Sequence, residues 1–297
     1  MASLQCEGTY TALVTPMKDD AGRSLDIEAL ERVVEAQIAG GVDGLIPCGT
    51  TGEAATLNDA EWQTVVREVI RVARGRVPVI AGTGSNSTAR TIETTRLAKA
   101  LGADGALIVT PYYNKPSQAG LIAHYEAVLA AVSIPTILYN VPGRTACMMA
   151  PATVAALARH ADVVAVKEAS GSLDAVQEII ERTGGTFAVL SGDDGLAVPI
   201  YAVGGRGIIS VVSNPAPTLT AALYRDLRAG RVDAAARGQI ALRPLITALF
   251  AEPNPQPVKA AMALLGLMLP VARLPLLTAS QTNQALLQAA MTTLGLL

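Results

Sequence analysis

The sequence contains few histidines and few cysteines, and this scarcity limits the chemistry that it can carry. Only His124 and His160 occur among 297 residues, so a metal site built from several histidines is not expected. The three cysteines, Cys6, Cys48 and Cys147, are odd in number and form no CxxC pair. The sequence therefore predicts neither a zinc site nor a disulfide framework, and it favours a reducing compartment.

Long apolar runs, a secretory signal and an excess of one charge are missing as well. The longest apolar stretch, 260–272, is interrupted by Gly266 and Pro270 and is shorter than the roughly 20 residues of a membrane span. The first residues carry neither the basic nor the apolar segment of a signal peptide. With 23 basic and 25 acidic side chains, the formal net charge of -2 argues against nucleic acid or a membrane as the main partner. We therefore expect a soluble cytoplasmic protein.

Short strand-like runs alternate with helix-like stretches over the first two thirds of the chain. The runs rich in β-branched residues predict strands at 10–15, 44–48, 78–81, 106–109, 136–139, 163–166, 188–190 and 207–211. The amphipathic stretches between them predict helices at 25–39, 58–74, 87–101, 117–132, 151–160 and 172–182. Asn58 and Glu61 have the spacing of a capping box at the start of the second helix.

The character of the strands favours a closed barrel. Uniformly apolar strands such as 163–166 are typical of a parallel sheet that is covered on its faces. About eight strand–helix units without a flexible linker predict an α/β fold, a (β/α)8 TIM barrel, rather than an open doubly wound sheet. Beyond residue 213 only helix-like stretches follow, at 218–229, 232–250, 258–267 and 281–294. We therefore expect a catalytic barrel over residues 1–215 and a C-terminal helical extension over residues 216–297.

Polar side chains at the ends of the predicted strands are the candidates for chemistry, because the reactive groups of such barrels lie there. Lys167 directly follows the strand at 163–166. Burial disfavours the charged form of an amine, which leaves a nucleophile suited to a Schiff base with a carbonyl. A simple ion pair with Glu168, Asp193 or Asp194 is the alternative at this position.

Two threonines end the second predicted strand. Thr50 and Thr51 lie in the segment Gly-Thr-Thr-Gly-Glu, and their hydroxyl and amide groups can donate to a carboxylate. Taken alone, this segment is a weak signal, and an ordinary turn from strand to helix is the simpler explanation of the same residues. No metal or nucleotide motif accompanies them, since a third glycine is missing after Gly82 and Gly84 and no GxxxxGK[ST], GxSxG or HExxH pattern occurs.

A tyrosine and an arginine follow the fifth strand. Tyr139 can move a proton at the barrel mouth, and Arg144, past a Pro-Gly turn, can bind a carboxylate through two parallel hydrogen bonds. A packed core tyrosine and a surface arginine are the open alternatives. The paired tyrosines at 112–113 follow the fourth strand and are typical of interface packing.

Ordered segments along the whole chain resemble one protein family. They are Ala-Leu-Val-Thr-Pro-Met (12–17), Gly-Thr-Thr-Gly-Glu (49–53), Pro-Val-Ile-Ala-Gly-Thr-Gly (78–84), Thr-Pro-Tyr-Tyr-Asn-Lys-Pro (110–116), Tyr-Asn-Val-Pro-Gly-Arg-Thr (139–145), Val-Lys-Glu-Ala (166–169) and Ser-Gly-Asp-Asp (191–194). Together they are similar to the 4-hydroxy-tetrahydrodipicolinate synthases, also called dihydrodipicolinate synthases, of the pyruvate-dependent class I aldolase superfamily. The likeness continues through 207–210 and 254–259.

The resemblance implies an activity and a set of catalytic residues. Family members condense pyruvate with L-aspartate 4-semialdehyde in lysine and diaminopimelate biosynthesis, and they are usually homotetramers built as dimers of dimers. Lys167 matches the lysine that forms the Schiff base, so no metal and no separate cofactor is implied. Tyr139, Thr50 and Tyr113 match the proton relay, in which Tyr113 is donated across the dimer interface.

The resemblance also implies the binding residues and the competing substrate. Thr51 matches the residue that holds the pyruvate carboxylate, Gly192 and Ile209 match the pocket wall, and Arg144 matches the receptor of the aldehyde carboxylate. Lyases and dehydratases of keto-deoxy sugar acids, such as N-acetylneuraminate lyases, keep the lysine and tyrosine but usually lack this arginine. They are the alternative enzyme. A barrel that has lost its chemistry and only binds is the alternative that is not an enzyme, and the complete set of matching residues argues against it.

One regulatory site departs from the family pattern. Members that respond to L-lysine bind it at the dimer interface through a serine, two histidines, an asparagine, a glutamate and a tyrosine. The matching positions here are Ala54, Asp59, Trp62, Asn86, Arg90 and Tyr112. Arg90 replaces the carboxylate that would meet the lysine ammonium, and two cations repel each other at close range. We expect L-lysine to inhibit weakly or not at all, and binding of another effector stays open.

Overall fold

The computed structural model describes residues 4–297. Its strands are β1 (Gly8–Ala12), β2 (Gly44–Ile46), β3 (Ile80–Gly82), β4 (Gly105–Val109), β5 (Thr136–Asn140), β6 (Val163–Glu168), β7 (Ala188–Ser191) and β8 (Gly207–Ser210). Its helices are α1 (Ile27–Ala39), α2 (Asp59–Ala73), α3 (Thr88–Leu101), α4 (Gln118–Ala131), α5 (Pro142–Thr145), α6 (Pro151–Leu157), α7 (Leu173–Arg182), α8 (Ala197–Ala202), α9 (Pro217–Arg228), α10 (Val232–Leu249), α11 (Gln256–Leu264) and α12 (Gln281–Thr293).

The chain divides into two compact units. The first comprises Pro78–Ile209 together with residues 4–8, and it holds β3 to β7, most of β8 and helices α3 to α8. The second comprises Thr9–Val77 and Ser210–Leu297, with most of β1, β2, and helices α1, α2 and α9 to α12.

The first unit is a run of parallel strands over a continuous apolar core. From β3 to β8, each strand pairs in parallel with the strand that follows it in the sequence. Apolar side chains from β4 to β7 pack against those of α4, α6 and α7. Tyr125 is fully buried in this core, and its hydroxyl donates to the Ile108 carbonyl oxygen over 2.9 Å, which satisfies the one polar atom of the ring.

In the second unit, β1 pairs in parallel with β2, and a buried amide network ties this unit together. The Thr11 hydroxyl donates to Gln37 Oε1 over 2.8 Å, and Gln37 Nε2 donates to the Asn214 carbonyl oxygen over 2.8 Å. Asn214 Nδ2 in turn donates to the Ala12 carbonyl oxygen over 2.9 Å. Because buried amides need partners, this network fixes how β1, α1 and the segment after β8 pack together.

Helix starts follow their local sequence. The capping box expected from Asn58 and Glu61 is confirmed: Asn58 Oδ1 accepts from the Glu61 amide over 2.9 Å, and Glu61 Oε2 accepts from the Asn58 amide over 3.0 Å. Serine side chains at Ser87, Ser117 and Ser172 accept backbone hydrogen bonds at the starts of α3, α4 and α7. These bonds satisfy amide donors that a helix leaves free at its first turn.

The sequence pattern locates the regular elements well. All eight predicted strands and all ten predicted helices are present, and the largest displacement of a strand end is at β1, which was expected to reach residue 15 and ends at Ala12. Helices α5 and α8 were not predicted, because four and six residues are too few to show helical periodicity. In the described part of the chain, no helix has both the length and the apolar character to cross a membrane.

Gly84 generates a stability prediction, because it lies where backbone segments approach closely. A Cβ atom at this position would lie 2.4 Å from the Val109 backbone nitrogen and 2.9 Å from Val109 Cγ1. We expect Gly84→Ala to lower the free energy of unfolding by about 2 kcal/mol, the range of overpacking in a tight interior. Gly22→Ala is the matched control, since its Cβ would meet only Asp20 Oδ1 at 3.8 Å. Equal denaturation midpoints for the two variants would contradict this prediction.

Candidate active site

Lys167 lies near the end of β6, and strand pairing brings Tyr139 to its side. The parallel register pairs Tyr139 of β5 with Lys167 of β6. The Lys167 Nζ atom lies 4.3 Å from the centroid of the Tyr139 ring. Both side chains are buried, Lys167 with 6% and Tyr139 with 7% of their surface exposed. The first unit therefore places a little-hydrated amine beside a phenol, an arrangement suited to proton exchange during carbonyl chemistry.

The carboxylate next to Lys167 is occupied by other partners. Glu168 accepts a hydrogen bond from Asn140 Nδ2 over 2.9 Å and one from the Ser170 amide over 2.6 Å. Asp193 Oδ1 accepts from the Gly195 amide over 2.8 Å. No salt bridge of Lys167 is found among residues 4–297, so the ion-pair alternative receives no support.

Gly192 packs directly on the Lys167 side chain. A Cβ atom at Gly192 would lie 3.0 Å from Lys167 Cε and 2.6 Å from Ala169 Cβ, so only glycine leaves the lysine where it is. The Gly192 amide donates to the Glu168 carbonyl oxygen over 2.7 Å, which holds the loop after β7 against β6. Ile209 is buried in β8, and its neighbour Ile208 pairs in register with Ser191 of β7.

Arg144 and Tyr113 differ from these residues in being exposed. Arg144 lies in α5, directly after β5, with its side chain exposed. A buried hydrogen bond holds the turn around Arg144: the Thr110 hydroxyl donates to Thr145 Oγ1 over 3.2 Å. Tyr113 has a positive φ of 74° and 89% of its surface exposed. Such a backbone conformation is uncommon for a bulky residue, so the ring is held outward at a conformational cost.

The Gly-Thr-Thr-Gly-Glu segment lies in the second unit and forms a tight turn after β2. Thr51 is buried, whereas Thr50 is exposed. A Cβ atom at Gly52 would lie 3.0 Å from the Cys48 backbone nitrogen and 3.1 Å from the Leu13 carbonyl oxygen, so the turn has room only for glycine. The Thr51 hydroxyl oxygen accepts a hydrogen bond from Asn254 Nδ2 over 3.0 Å.

A buried ion pair closes this turn. Glu53 and Lys259 of α11 form a salt bridge, and their side chains are 1% and 0% exposed. Lys259 Nζ also donates to the Val271 carbonyl oxygen over 2.6 Å, and Glu53 Oε2 accepts from the Arg273 amide over 2.9 Å. Burial lowers the pKa of the Lys259 amine, and the Glu53 carboxylate opposes this shift. The segments that carry the family resemblance did not identify Asn254 or Lys259 as site residues. A single lysine among the apolar residues of α11 was nevertheless a signal that could have been used.

The cysteines contribute no nucleophile to this arrangement. All three are free and buried. Burial raises the pKa of the Cys48 thiol, which lies in the second unit just before the threonine pair, and it raises the pKa of Cys6 to about 12. No group of three or more His, Cys, Asp or Glu side chains that could hold a metal ion occurs within residues 4–297.

Comparison with known proteins identifies the family. The sequence model of the dihydrodipicolinate synthetase family matches residues 5–294. The chain belongs to this family. The 4-hydroxy-tetrahydrodipicolinate synthase of Sorangium cellulosum (strain So ce56) is 50% identical over 292 residues, which cover 98% of this chain and 97% of the relative.

Solved structures of the same family match the whole fold. The dihydrodipicolinate synthase of Thermotoga maritima has a TM-score of 0.95 and 41% identity, and the match covers 98% of this chain and 99% of that one. The Acinetobacter baumannii dihydrodipicolinate synthase, solved in complex with pyruvate, has a TM-score of 0.96 and 41% identity, with 99% and 100% covered. The predicted family, the (β/α)8 barrel class with C-terminal helices and the enzyme class, a 4-hydroxy-tetrahydrodipicolinate synthase, are thereby confirmed.

The buried thiols predict low reactivity toward thiol reagents. Burial raises the pKa of Cys6, Cys48 and Cys147, so the reactive thiolate forms only well above neutral pH. We expect Ellman's reagent at mildly alkaline pH to react slowly with the native protein, and to count three thiols after unfolding in guanidinium chloride. A thiol of the native protein that reacts as fast as free cysteine would contradict this burial.

Proposed function

We propose that Lys167 carries the condensation of pyruvate with L-aspartate 4-semialdehyde, the reaction of the family, in lysine and diaminopimelate biosynthesis. The observation that supports this role most is the placement of the buried amine over the Tyr139 ring, 4.3 Å from its centroid. A buried amine can attack a carbonyl carbon to form an imine, and the phenol beside it can exchange the protons that this step requires.

The reaction proceeds in three covalent stages. Lys167 Nζ attacks the carbonyl carbon of pyruvate, and loss of water gives an imine. The imine withdraws electrons, so a methyl proton leaves and an enamine forms, whose carbon attacks the aldehyde to make a carbon–carbon bond. The amino group of the former semialdehyde then attacks the imine carbon, closes the ring and releases Lys167. The product is 4-hydroxy-tetrahydrodipicolinate.

The remaining site residues serve proton transfer. We assign Tyr139, Thr50 and Tyr113 to the proton relay of imine formation and ring closure. In a single chain, 89% of the Tyr113 surface is exposed on a backbone held at positive φ. This exposure fits a residue that acts in a neighbouring copy, and the resemblance to the family adds a homotetramer, a dimer of dimers, to the proposal.

The binding residues determine which substrates the site accepts. We assign Thr51 to the pyruvate carboxylate, Gly192 and Ile209 to the pocket wall, and Arg144 to the carboxylate of the aldehyde. The exposed guanidinium of Arg144, on the short helix after β5, suits a small anionic aldehyde better than a polyhydroxylated sugar acid.

The organisation and location of the protein complete the proposal. We assign residues 1–215 to the catalytic barrel and residues 216–297 to the C-terminal helical region, because the last strand ends at Ser210 and only helices follow. We place the enzyme in the cytoplasm, since three buried free thiols suit a reducing compartment.

A coupled assay tests this function. The protein is mixed with pyruvate and aspartate semialdehyde in the presence of the downstream reductase, and NADPH loss is followed. We expect a rate that requires both substrates. If no rate appears although the reductase is active, and a keto-deoxy sugar acid is cleaved or dehydrated instead, the proposed substrate is wrong.

Variants at Lys167 and Tyr139 separate the nucleophile from the proton carrier. Borohydride reduction in the presence of pyruvate should add a reduced pyruvate mass to the wild type and to Tyr139→Phe, but not to Lys167→Ala. Tyr139→Phe should lower kcat about a hundredfold or more, because a positioned proton carrier is lost. An adduct on Lys167→Ala, located by peptide mass spectrometry, would assign the Schiff base to another residue.

Arg90 supports the expected insensitivity to L-lysine. Its guanidinium lies 3.1 Å from Glu93 Oε2 on the exposed face of α3, so a cation stands where responsive relatives carry a carboxylate. We expect near-full activity in millimolar L-lysine, and a gain of inhibition when Arg90→Glu is combined with Asp59→His and Trp62→His. Inhibition of the wild type by sub-millimolar lysine would contradict the prediction.

A further inference from the structure

Asn254 makes a hydrogen bond to a proposed substrate-binding residue that lies 203 residues away in sequence. Its Nδ2 atom donates to Thr51 Oγ1 over 3.0 Å, and both side chains are buried. Asn254 Oδ1 has no hydrogen-bond partner among residues 4–297. Within the described part of the chain, the Asn254 side chain therefore has one hydrogen-bond partner, the Thr51 hydroxyl.

The direction of this hydrogen bond fixes what Thr51 can do. A hydroxyl group carries one hydrogen and can accept as well as donate. Because the Thr51 oxygen receives the amide hydrogen of Asn254, its own hydrogen must point elsewhere and is free to donate. A carboxylate only accepts hydrogen bonds, so a threonine that binds one must act as a donor. Asn254 thus leaves the Thr51 hydroxyl free to act as the hydrogen-bond donor that an anionic ligand requires.

The segment that carries Asn254 is anchored to the same turn. Glu53, two residues after Thr51, is paired with Lys259, five residues after Asn254. Glu53 also accepts from the Arg273 amide over 2.9 Å, so a second part of the C-terminal region holds the turn. Separating two such buried charges is costly, so the distance between Asn254 and Thr51 is held short.

We propose that Asn254 is a positioning residue for pyruvate binding: it directs the Thr51 hydroxyl hydrogen toward the substrate carboxylate. This inference rests on the proposed role of Thr51. It gives the C-terminal helical region an indirect part in recognising the first substrate, exerted through Thr51, although none of its side chains has been assigned a contact with that substrate.

Two substitutions at Asn254 distinguish hydrogen-bond polarity from packing. Asn254→Ala removes the donor, and we expect the KM for pyruvate to rise about tenfold, as for a lost hydrogen bond to a charged group, with kcat and the KM for the aldehyde little changed. Asn254→Asp keeps the shape but can only accept when ionised. It would turn the Thr51 hydrogen away from pyruvate and add a like charge, so we expect a larger rise in KM than with alanine.

Asn283 provides the matched control. It is buried in the same unit, its Nδ2 donates to the Ala248 carbonyl oxygen over 2.8 Å, and its Oδ1 also lacks a partner within residues 4–297. Asn283→Ala and Asn283→Asp should lower the thermal midpoint to a similar degree as the Asn254 variants while leaving the KM for pyruvate unchanged. In a Thr51→Val background, Asn254→Ala should add no further change in that KM.

The results separate failure of this inference from failure of the proposed function. If wild-type protein forms no borohydride-reduced pyruvate adduct, the proposed function fails. If the wild type is active but Asn254→Asp binds pyruvate as well as Asn254→Ala does, Asn254 does not set the polarity of Thr51. If Asn254→Ala still raises the KM in the Thr51→Val background, it acts by another route, and the inference is wrong.

Discussion

The parallel register between β5 and β6 is the constraint on which the chemistry of the first unit depends. Hydrogen bonds between the two strands set Tyr139 beside Lys167 and Asn140 beside Glu168. Successive residues of a strand point to opposite faces, so a shift of either strand by one residue would put the phenol and the amine on opposite faces of the sheet. The reacting pair is thus held by backbone pairing that involves neither reacting atom.

The neighbouring residues extend this constraint. Glu168 is held by Asn140 and the Ser170 amide, so the carboxylate that follows Lys167 in sequence has its hydrogen-bond partners elsewhere. Gly192 lets the loop after β7 lie directly on the lysine side chain. A buried amine in contact with atoms on several sides has few rotamers to lose, so little conformational entropy opposes formation of its covalent adduct.

The sequence predicts the fold and part of the site for physical reasons that can be named. Apolar β-branched runs mark buried parallel strands, and a lysine at the end of such a run is conspicuous because burial of a charge is costly. The pattern does not predict helices α5 and α8 because they contain four and six residues, which are too few to show helical periodicity. Asn254 and Lys259 escape because their partners, Thr51 and Glu53, lie about two hundred residues earlier, and no local pattern records a contact of that kind.

The pairing of Glu53 with Lys259 also bears on how the protein is made. While the chain is still being synthesised, the turn that contains Glu53 leaves the ribosome long before α11 exists. The carboxylate then has no buried partner and stays hydrated, because an isolated charge is not stable in an apolar interior. Only when Lys259 and Arg273 have emerged can the Glu53 carboxylate be buried against its partners. The nascent chain therefore cannot complete this turn early, and the last helices to be translated decide when the second unit reaches its final form.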